Sequence, residues 1–562
     1  MDMDMGSMNH NHGAGIGSDT NYAFARGYWY TIATVVGLAT AIHIVNVYGA
    51  RNRIKLASKD QQPTRPTGHL SQTWATATAI LRELSHPQYY IPIRGLKWAT
   101  PPSLGKVLFL FGYWIVIIYM MAWKVSIDDA FYWERIGFRN AWVTICQLPL
   151  LYLLSTKFNP IGYLIGSSHE RLNWLHRWVA RTMFVTATVH GFHFWTEWVR
   201  ADFVQYELQM MPLVKYGLAA WCVLLWTVVV GFLPIRRLFY EVWLLQHIAS
   251  AIVMLYLLYI HIPANAKYLW WMSVAFLVFD RAARWVNLAW QNIRFKTSGS
   301  LCHAKQRVGH RITASALGEG VTVLTIKDVT FTWSPGQHLY LWVPRLGSLE
   351  AHPYTIATAR HVQDVCCCNS IQLVIRAHGG FSKRLHAFAT DSSESTLTGF
   401  VSGPFGAPPK WDAFETLVLI GASTGASFIV PILETVATKS TRETCVRRIE
   451  VMIVARTSQE VRYYVQRASD AVSLASANGI QVMLHIAITG HRRNSSQCLV
   501  DETSSKEQPE EISGNESQQE MIGTGTFTKE YTSRPDIEAL IREPIEAAWG
   551  ESAVVVCGGQ EI

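Results

Sequence analysis

Hydrophobic and polar positions divide the chain near residue 295. Before that point apolar residues come in long runs; after it they come in short stretches punctuated by Gly and Pro. Seven runs lie near residues 27–49, 104–123, 140–156, 174–195, 216–234, 242–262 and 268–287. Each approaches the length at which a helix crosses a bilayer, and the third has the weakest signal. From Lys305 to Gly406 the text alternates β-branched and polar residues, as in GVTVLTIKDVTFTWSPGQHLYLWVP, which predicts an antiparallel barrel. At Leu417 the pattern changes to a buried-strand run, LVLI, then GASTGAS, then FIVPILETVAT. Strand, glycine-rich turn and helix in that order are the layout in which dinucleotide phosphates sit on a helix N-terminus.

Composition sharpens this picture in two places. A chain of 562 residues exceeds one ordinary domain, and 49% hydrophobic residues with 22 Trp agree with a part in lipid. The net charge of +8 is modest and forms no basic stripe, so no nucleic-acid partner is expected. Basic residues instead follow membrane topology: Arg51, Arg53, Lys55, Arg65, Arg82, Arg94, Lys97 and Lys106 lie between the first two spans, and Arg236 and Arg237 between the fifth and sixth. Positive-inside counting then places the N-terminus outside and the C-terminal half in the cytosol. The first residues, MDMDMGSMNHNH, carry four Met, two His and two Asp and do not read as a cleaved signal. Such a tail suits soft metal such as Cu(I), although a disordered tail is the plainer reading.

Two histidine pairs organise the membrane half. His176 and His190 are separated by thirteen residues in one span, and His247 and His261 repeat that spacing in another. Fourteen helical steps return the second imidazole to within about 40° of the first, roughly 21 Å along the axis. Both spans run in the same direction, so His176 pairs with His247 near the cytosolic face and His190 with His261 near the outer face. Neutral imidazoles from facing helices can close both axial positions of a haem iron. Met183 and Met254 lie midway on the same side, with Phe184 next to Met183; filling the gap between two macrocycles is one reading, and ordinary filling of irregular core space the plainer one. Arg171 and Arg177 are near the inner site and are candidates for haem propionates. His43, His169 and His193 stand outside the pattern and read as packing residues.

With these histidines followed by flavin and nucleotide motifs in order, the chain resembles the fungal ferric-chelate reductases, in the superfamily that also holds the NADPH oxidases. The resemblance covers roughly residues 100 to 562. It implies a multi-span α-helical membrane haem domain of about seven helices, followed by a ferredoxin-reductase-like module: an antiparallel β-barrel FAD domain and an α/β Rossmann-like NADPH domain. Two haem b, FAD and NADPH are the implied cofactors. His352, Pro353, Tyr354 and Thr355 match the family's flavin motif, and Pro335-Gly336-Gln337-His338 the preceding strand. Gly379, Gly380, Ser382 and Lys383 match the segment that takes the FAD pyrophosphate, where backbone donors before a helix make an anion nest. The turn Gly403-Pro404-Phe405-Gly406 closes the barrel. Gly421, Ser423, Thr424, Gly425 and Ser427 resemble the family's nucleotide loop, with small residues in place of some glycines. Arg456 ends the next strand where an NAD-specific protein more often shows an acid, which favours NADPH. Cys557 and Gly558 match the position beside nicotinamide and flavin.

The expected domains are a Met/His-rich outer tail (1–26), a first span with a cytosolic linker (27–103), the haem domain (104–290), the FAD barrel (300–412) and the NADPH domain (413–562). A polar, acidic insertion near 490–530 is expected to be disordered and, being cytosolic, unglycosylated. Cys366, Cys367 and Cys368 are expected to stay reduced there. Family members continue past Cys557 as a helix and tail, so the resemblance implies a shortened C-terminus: either a truncated gene sequence or an isoform with impaired reduction of FAD. The implied activity is reduction of Fe(III) chelates, or of Cu(II), outside the cytosol, with functional coupling to an iron or copper uptake system. The plasma membrane is the family expectation and a vacuolar membrane the other reading. Two alternatives stay open: an NADPH oxidase making superoxide, and a copper-binding or transport protein with an inactive reductase half.

Overall fold

The computed structural model describes residues 18–59, 62–93, 96, 99–232, 236, 240–294, 306–317, 320–348, 350–359, 369–391, 396–456, 458–489, 521–525, 528–531 and 535–558. The Met/His-rich residues 1–17, the cysteine run at 366–368 and most of the 490–530 insertion lie outside them. The chain forms two compact units, residues 1–44 with 67–284, and residues 45–66 with 285–562.

The first unit is helical. Helix α1 spans Asp19–Leu56, α2 His69–Ser85, α3 Leu104–Ala122, α4 Tyr132–Ser155, the short α5 Pro160–Leu164, α6 His169–Arg200, α7 Val204–Met210, α8 Pro212–Val230, α9 Tyr240–His261 and α10 Lys267–Asn292. Four of these, α1, α3, α8 and α9, are long and apolar enough to cross a membrane by length and composition alone. Helix α1 extends beyond its apolar run at both ends: Asn21 at its start is buried and accepts from Arg139 Nε at 2.6 Å. The weakest of the seven runs becomes the most buried helix of this unit. Helix α4 buries Arg139, Asn140 and Gln147 together with an unbroken stretch from Ile145 to Leu154. A helix enclosed by other helices can carry polar groups that a lipid-facing one cannot, provided each is bonded. Here Tyr113 Oη donates to Gln147 Oε1 at 2.8 Å, and Gln147 Nε2 donates to Thr186 Oγ1 at 3.2 Å.

The second unit holds two sheets. Strands β1 (His310–Ala316), β2 (Val321–Ile326), β3 (His338–Trp342), β4 (Ala351–Thr355), β5 (Ile371–Arg376) and β6 (Thr396–Phe405) form an antiparallel sheet in the order β4-β3-β6-β1-β2-β5. Just past β4, Ala357 N donates to Gln372 O on β5 at 2.8 Å, which brings the two edge strands together as a barrel requires. Helix α11 (Gly380–Asp391) packs Phe381 and Leu385 into the barrel core.

Strands β7 (Thr416–Ala422), β8 (Arg448–Ala455), β9 (Gln481–Ile488), β10 (Met521–Gly525), β11 (Thr528–Tyr531) and β12 (Ser552–Cys557) form the second sheet, ordered β10-β11-β9-β8-β7-β12. It is parallel except for β10. Helices α12 (Ala426–Ala437) and α13 (Ser458–Ala477) cover one face, and α14 (Ile537–Glu546) the other. Residues 45–66 join this unit because Thr64 is buried against it, donating to Glu415 Oε2 at 2.7 Å.

Candidate functional site

The four spaced histidines meet as two pairs. His176 on α6 and His247 on α9 have ring centroids 6.4 Å apart, and His190 and His261 on the same helices 6.1 Å apart. Three of the rings are aimed by backbone carbonyls: His176 Nδ1 donates to Leu151 O, His190 Nδ1 to Gly137 O and His261 Nδ1 to Leu213 O, each at 2.9 Å. A carbonyl only accepts, so each Nδ1 carries the proton and Nε2 keeps its lone pair, the tautomer a metal needs. His247 differs: its buried Nδ1 has no partner among the described residues, and its ring stacks on Trp243 at 5.2 Å and 12°. Gly217 lets α8 approach this row, since a Cβ there would lie 2.4 Å from His261 Cε1.

The remaining membrane candidates fall into place around the pairs. Met183 and Met254 are both buried in the bundle core, and Phe184 stacks on Trp221 at 5.8 Å. His193 is satisfied within its own helix, Nδ1 to Val189 O at 2.8 Å, and packs on Trp133. His169 pairs with Glu170 and His43 lies against Gly166. Arg171 is exposed, whereas Arg177 is half-buried within electrostatic reach of Arg181 and Arg236. None of these last three cations has a carboxylate partner among the described residues. Arg181 escaped the sequence reading although it follows Arg177 by four residues, the same-face spacing of a helix.

In the barrel, β4 presents His352 to Thr355. The His352 ring stacks on Phe381 at 5.0 Å, with Nε2 3.3 Å from Glu350 Oε2. Burial, with the charge of Glu350 behind it, pushes the Tyr354 phenol well above its ordinary pKa, so it remains a neutral hydroxyl. Thr355 pairs in register with His338, and Gln337 Nε2 donates to Gly406 O at 3.0 Å, joining the matched strand start to the closing turn. The nest at Gly379-Gly380 is partly self-satisfied: Ser382 Oγ accepts from His378 N at 3.1 Å and Gly379 N at 3.4 Å. Gly380 adopts φ +49, which glycine tolerates, and Lys383 is exposed at the start of α11.

The nucleotide loop runs from Gly421 through a short turn, Ser423–Gly425, into α12. A Cβ on Gly421 would lie 3.0 Å from Ala426 N, and one on Gly425 2.2 Å from Cys557 O, so both positions require glycine. Close approach of Cys557 and Gly558 to this loop follows from the parallel pairing of β12 with β7. Burial raises the Cys557 thiol, keeping it neutral. Ser427 Oγ donates to Thr424 O at 2.7 Å, and Ser423 sits at φ +52. Arg456 is exposed just beyond the C-terminal end of β8, the strand next to β7.

Two arginines that the sequence reading passed over connect the barrel to the nucleotide domain. Arg376, at the end of β5, donates to Ser423 Oγ at 2.7 Å. Arg467 on α13 pairs with Glu434 at 2.7 Å and donates to Ala357 O at 2.8 Å, just past the flavin motif. The signal for Arg376 was its place three residues ahead of the glycine pair; Arg467 had none.

Residues 140–258 match the model of the ferric reductase like transmembrane component, residues 310–409 the FAD-binding domain, and residues 414–562 the ferric reductase NAD binding domain. Two of these three models are ferric reductase models, and the three matches follow one another along the chain. It is 25% identical over 428 residues to "Ferric/cupric reductase transmembrane component 7" of Saccharomyces cerevisiae, covering 72% of this chain and 64% of that protein. It is 25% identical over 376 residues to the protein named "Probable cell surface ferric reductase kap2" of Aspergillus oryzae, covering 63% of this chain and 48% of that one. It therefore spans about half to just under two thirds of these ferric reductases. This chain joins a membrane-embedded component to FAD-binding and NAD-binding domains.

Proposed function

We propose that this chain is a ferric reductase, a transmembrane metalloreductase that takes reducing equivalents from cytosolic NADPH and delivers electrons to Fe(III) chelates or Cu(II) on the other side of the membrane. The observation that carries the reading is the double pairing of His176 with His247 and His190 with His261, in one chain with FAD-binding and NAD-binding domains.

The residues fit two haems. Metal–imidazole bonds of about 2 Å, with about 1 Å more from nitrogen to ring centre, separate two axial ring centres by about 6 Å. The observed 6.4 and 6.1 Å agree. Carbonyl bonds to Nδ1 leave Nε2 of His176, His190 and His261 free to ligate. Arg177, Arg181 and Arg236 suit haem propionates at the His176 end, while Arg171 is too exposed to compete. His352 to Thr355 would hold the flavin ring and Gly380 with Lys383 its pyrophosphate. Gly421 to Ser427 would hold the NADPH phosphates, Arg456 the 2′-phosphate, and Cys557 with Gly558 the nicotinamide side. When bound, these groups supply hydride acceptance and single-electron relay. The chain's own residues supply position: glycines that admit backbone close to phosphate, carbonyls that fix imidazole tautomers, and neutral Tyr354 and Cys557 that add no charge beside the flavin.

The same reading places the N-terminus outside, the C-terminal half in the cytosol and the protein at the plasma membrane, with an iron or copper uptake system using its product. NADPH-dependent reduction of ferric chelate and of Cu(II), measured beside superoxide release in isolated membranes, tests it. Superoxide as the main product would replace it with an oxidase. An intact haem spectrum with neither activity would point to the copper-binding alternative.

A further inference from the structure

Helix α2, His69–Ser85, has no buried residue, yet it carries an ordered apolar stripe. At about 100° per residue, Leu70, Trp74, Ala77, Leu81 and Leu84 fall within about 80° of arc. Leu70 is 89% exposed, Leu81 66%, Leu84 56% and Trp74 42%. Gln72, Thr76, Ala79 and Glu83 occupy the opposite face. A stripe of this kind left in water is an aggregation liability, so something apolar covers it.

We infer that α2 is an interfacial helix whose stripe lies in the membrane surface beside the first turn of α3. The nearest apolar phase is set by the chain itself. Ser85 packs so closely on Gly105 that a Cβ there would lie 2.6 Å from the Ser85 Cβ. Leu104 N donates to Pro87 O at 2.8 Å, and Gln88 Nε2 to Pro101 O at 2.7 Å. These contacts pin the end of α2 to the start of a membrane span, so that end of the helix lies where α3 enters the bilayer. The charges are compatible with this: Arg82, on the flank about 120° round the helix from the centre of the stripe, and Lys106 in the first turn of α3 are long enough to reach anionic headgroups, while the opposite face carries Gln72, Thr76, Ala79 and Glu83. The helix would hold the linker between the first two spans flat on the bilayer.

Photocrosslinking of the full-length protein in phosphatidylcholine/phosphatidylserine nanodiscs tests this. p-Benzoylphenylalanine in place of Trp74 or Leu81 should form lipid adducts, and in place of Gln72 or Glu83 should not. Equal adducts on both faces, no lipid adduct on either, or adducts to a second copy or to the chain's own cytosolic half would overturn the assignment. As an independent reading, Leu70→Glu with Leu81→Glu should raise tryptic cleavage at Arg82 in nanodiscs while the haem spectrum stays intact; unchanged cleavage would overturn it equally.

Discussion

His190 and His261 face each other with ring centroids 6.1 Å apart, each holding its Nδ1 proton on a backbone carbonyl 2.9 Å away. Both rings are thereby orientated before any metal arrives, and both offer Nε2 to the same space. Replacing either residue with Ala should remove one of two low-spin haem signals, roughly half the haem absorbance of membranes, and stop transmembrane reduction. An unchanged reduced-minus-oxidised spectrum would sink the assignment.

Gly217 and Gly191 provide a matched pair of substitutions. A methyl at Gly217 would lie 2.4 Å from His261 Cε1, whereas one at Gly191 would meet nothing within 4 Å. Overpacking of this kind costs about 1–3 kcal/mol. Gly217→Ala should therefore perturb the outer haem signal and Gly191→Ala should leave it alone; equal spectra for the two would show that His261 is not held by α8.

Arg456 separates the two nicotinamide cofactors. Loss of a charge-assisted phosphate contact costs about 1.5–3 kcal/mol, so Arg456→Ala should raise KM for NADPH roughly tenfold or more. KM for NADH, which lacks the 2′-phosphate, should hardly move. Steady-state kinetics with both cofactors read the difference.

Arg467 fastens the segment after the flavin motif to the nucleotide domain through Glu434 and Ala357 O. Removing one partner of a largely buried pair typically costs about 3–5 kcal/mol. Arg467→Met should lower the melting temperature of the FAD- and nucleotide-binding half and loosen FAD, followed by release of flavin fluorescence on heating. Arg467→Lys, which keeps the charge but not the fork, should fall between.

Acid stability should carry the mark of Glu450. Burial opposes its ionisation, but hydrogen bonds from His485 and Arg448 outweigh that and hold the carboxyl below its ordinary value of 4.5. A depressed carboxylate contributes stability that is complete above the unfolded value and lost as the pH falls through the folded one. Glu450→Gln should thus destabilise the nucleotide domain at neutral pH and have a shrinking effect below about pH 4.5. Melting curves from pH 7 down to pH 4 give the comparison.

The sequence by itself determined what depends on local pattern. Long apolar runs require helices, alternation followed by a buried run requires a barrel and then a parallel sheet, and a repeated fourteen-residue step places two histidines on one face of each of two helices. Those relations follow from helical and strand geometry, so they were legible as text. The tertiary structure decided what depends on who stands opposite. Helix α4 looked like the weakest span because Arg139 and Gln147 are bonded to neighbouring helices instead of facing lipid. Leu151, Gly137 and Leu213 orientate the histidines through carbonyls, and every residue has a carbonyl, so no residue type announces the role. Arg467 meets Ala357 across 110 positions. Even the nest at Gly379 changed meaning once the hydroxyl of Ser382 was seen to occupy two of its amides. Periodicity records which side of an element is apolar; only packing names the partner that the side meets.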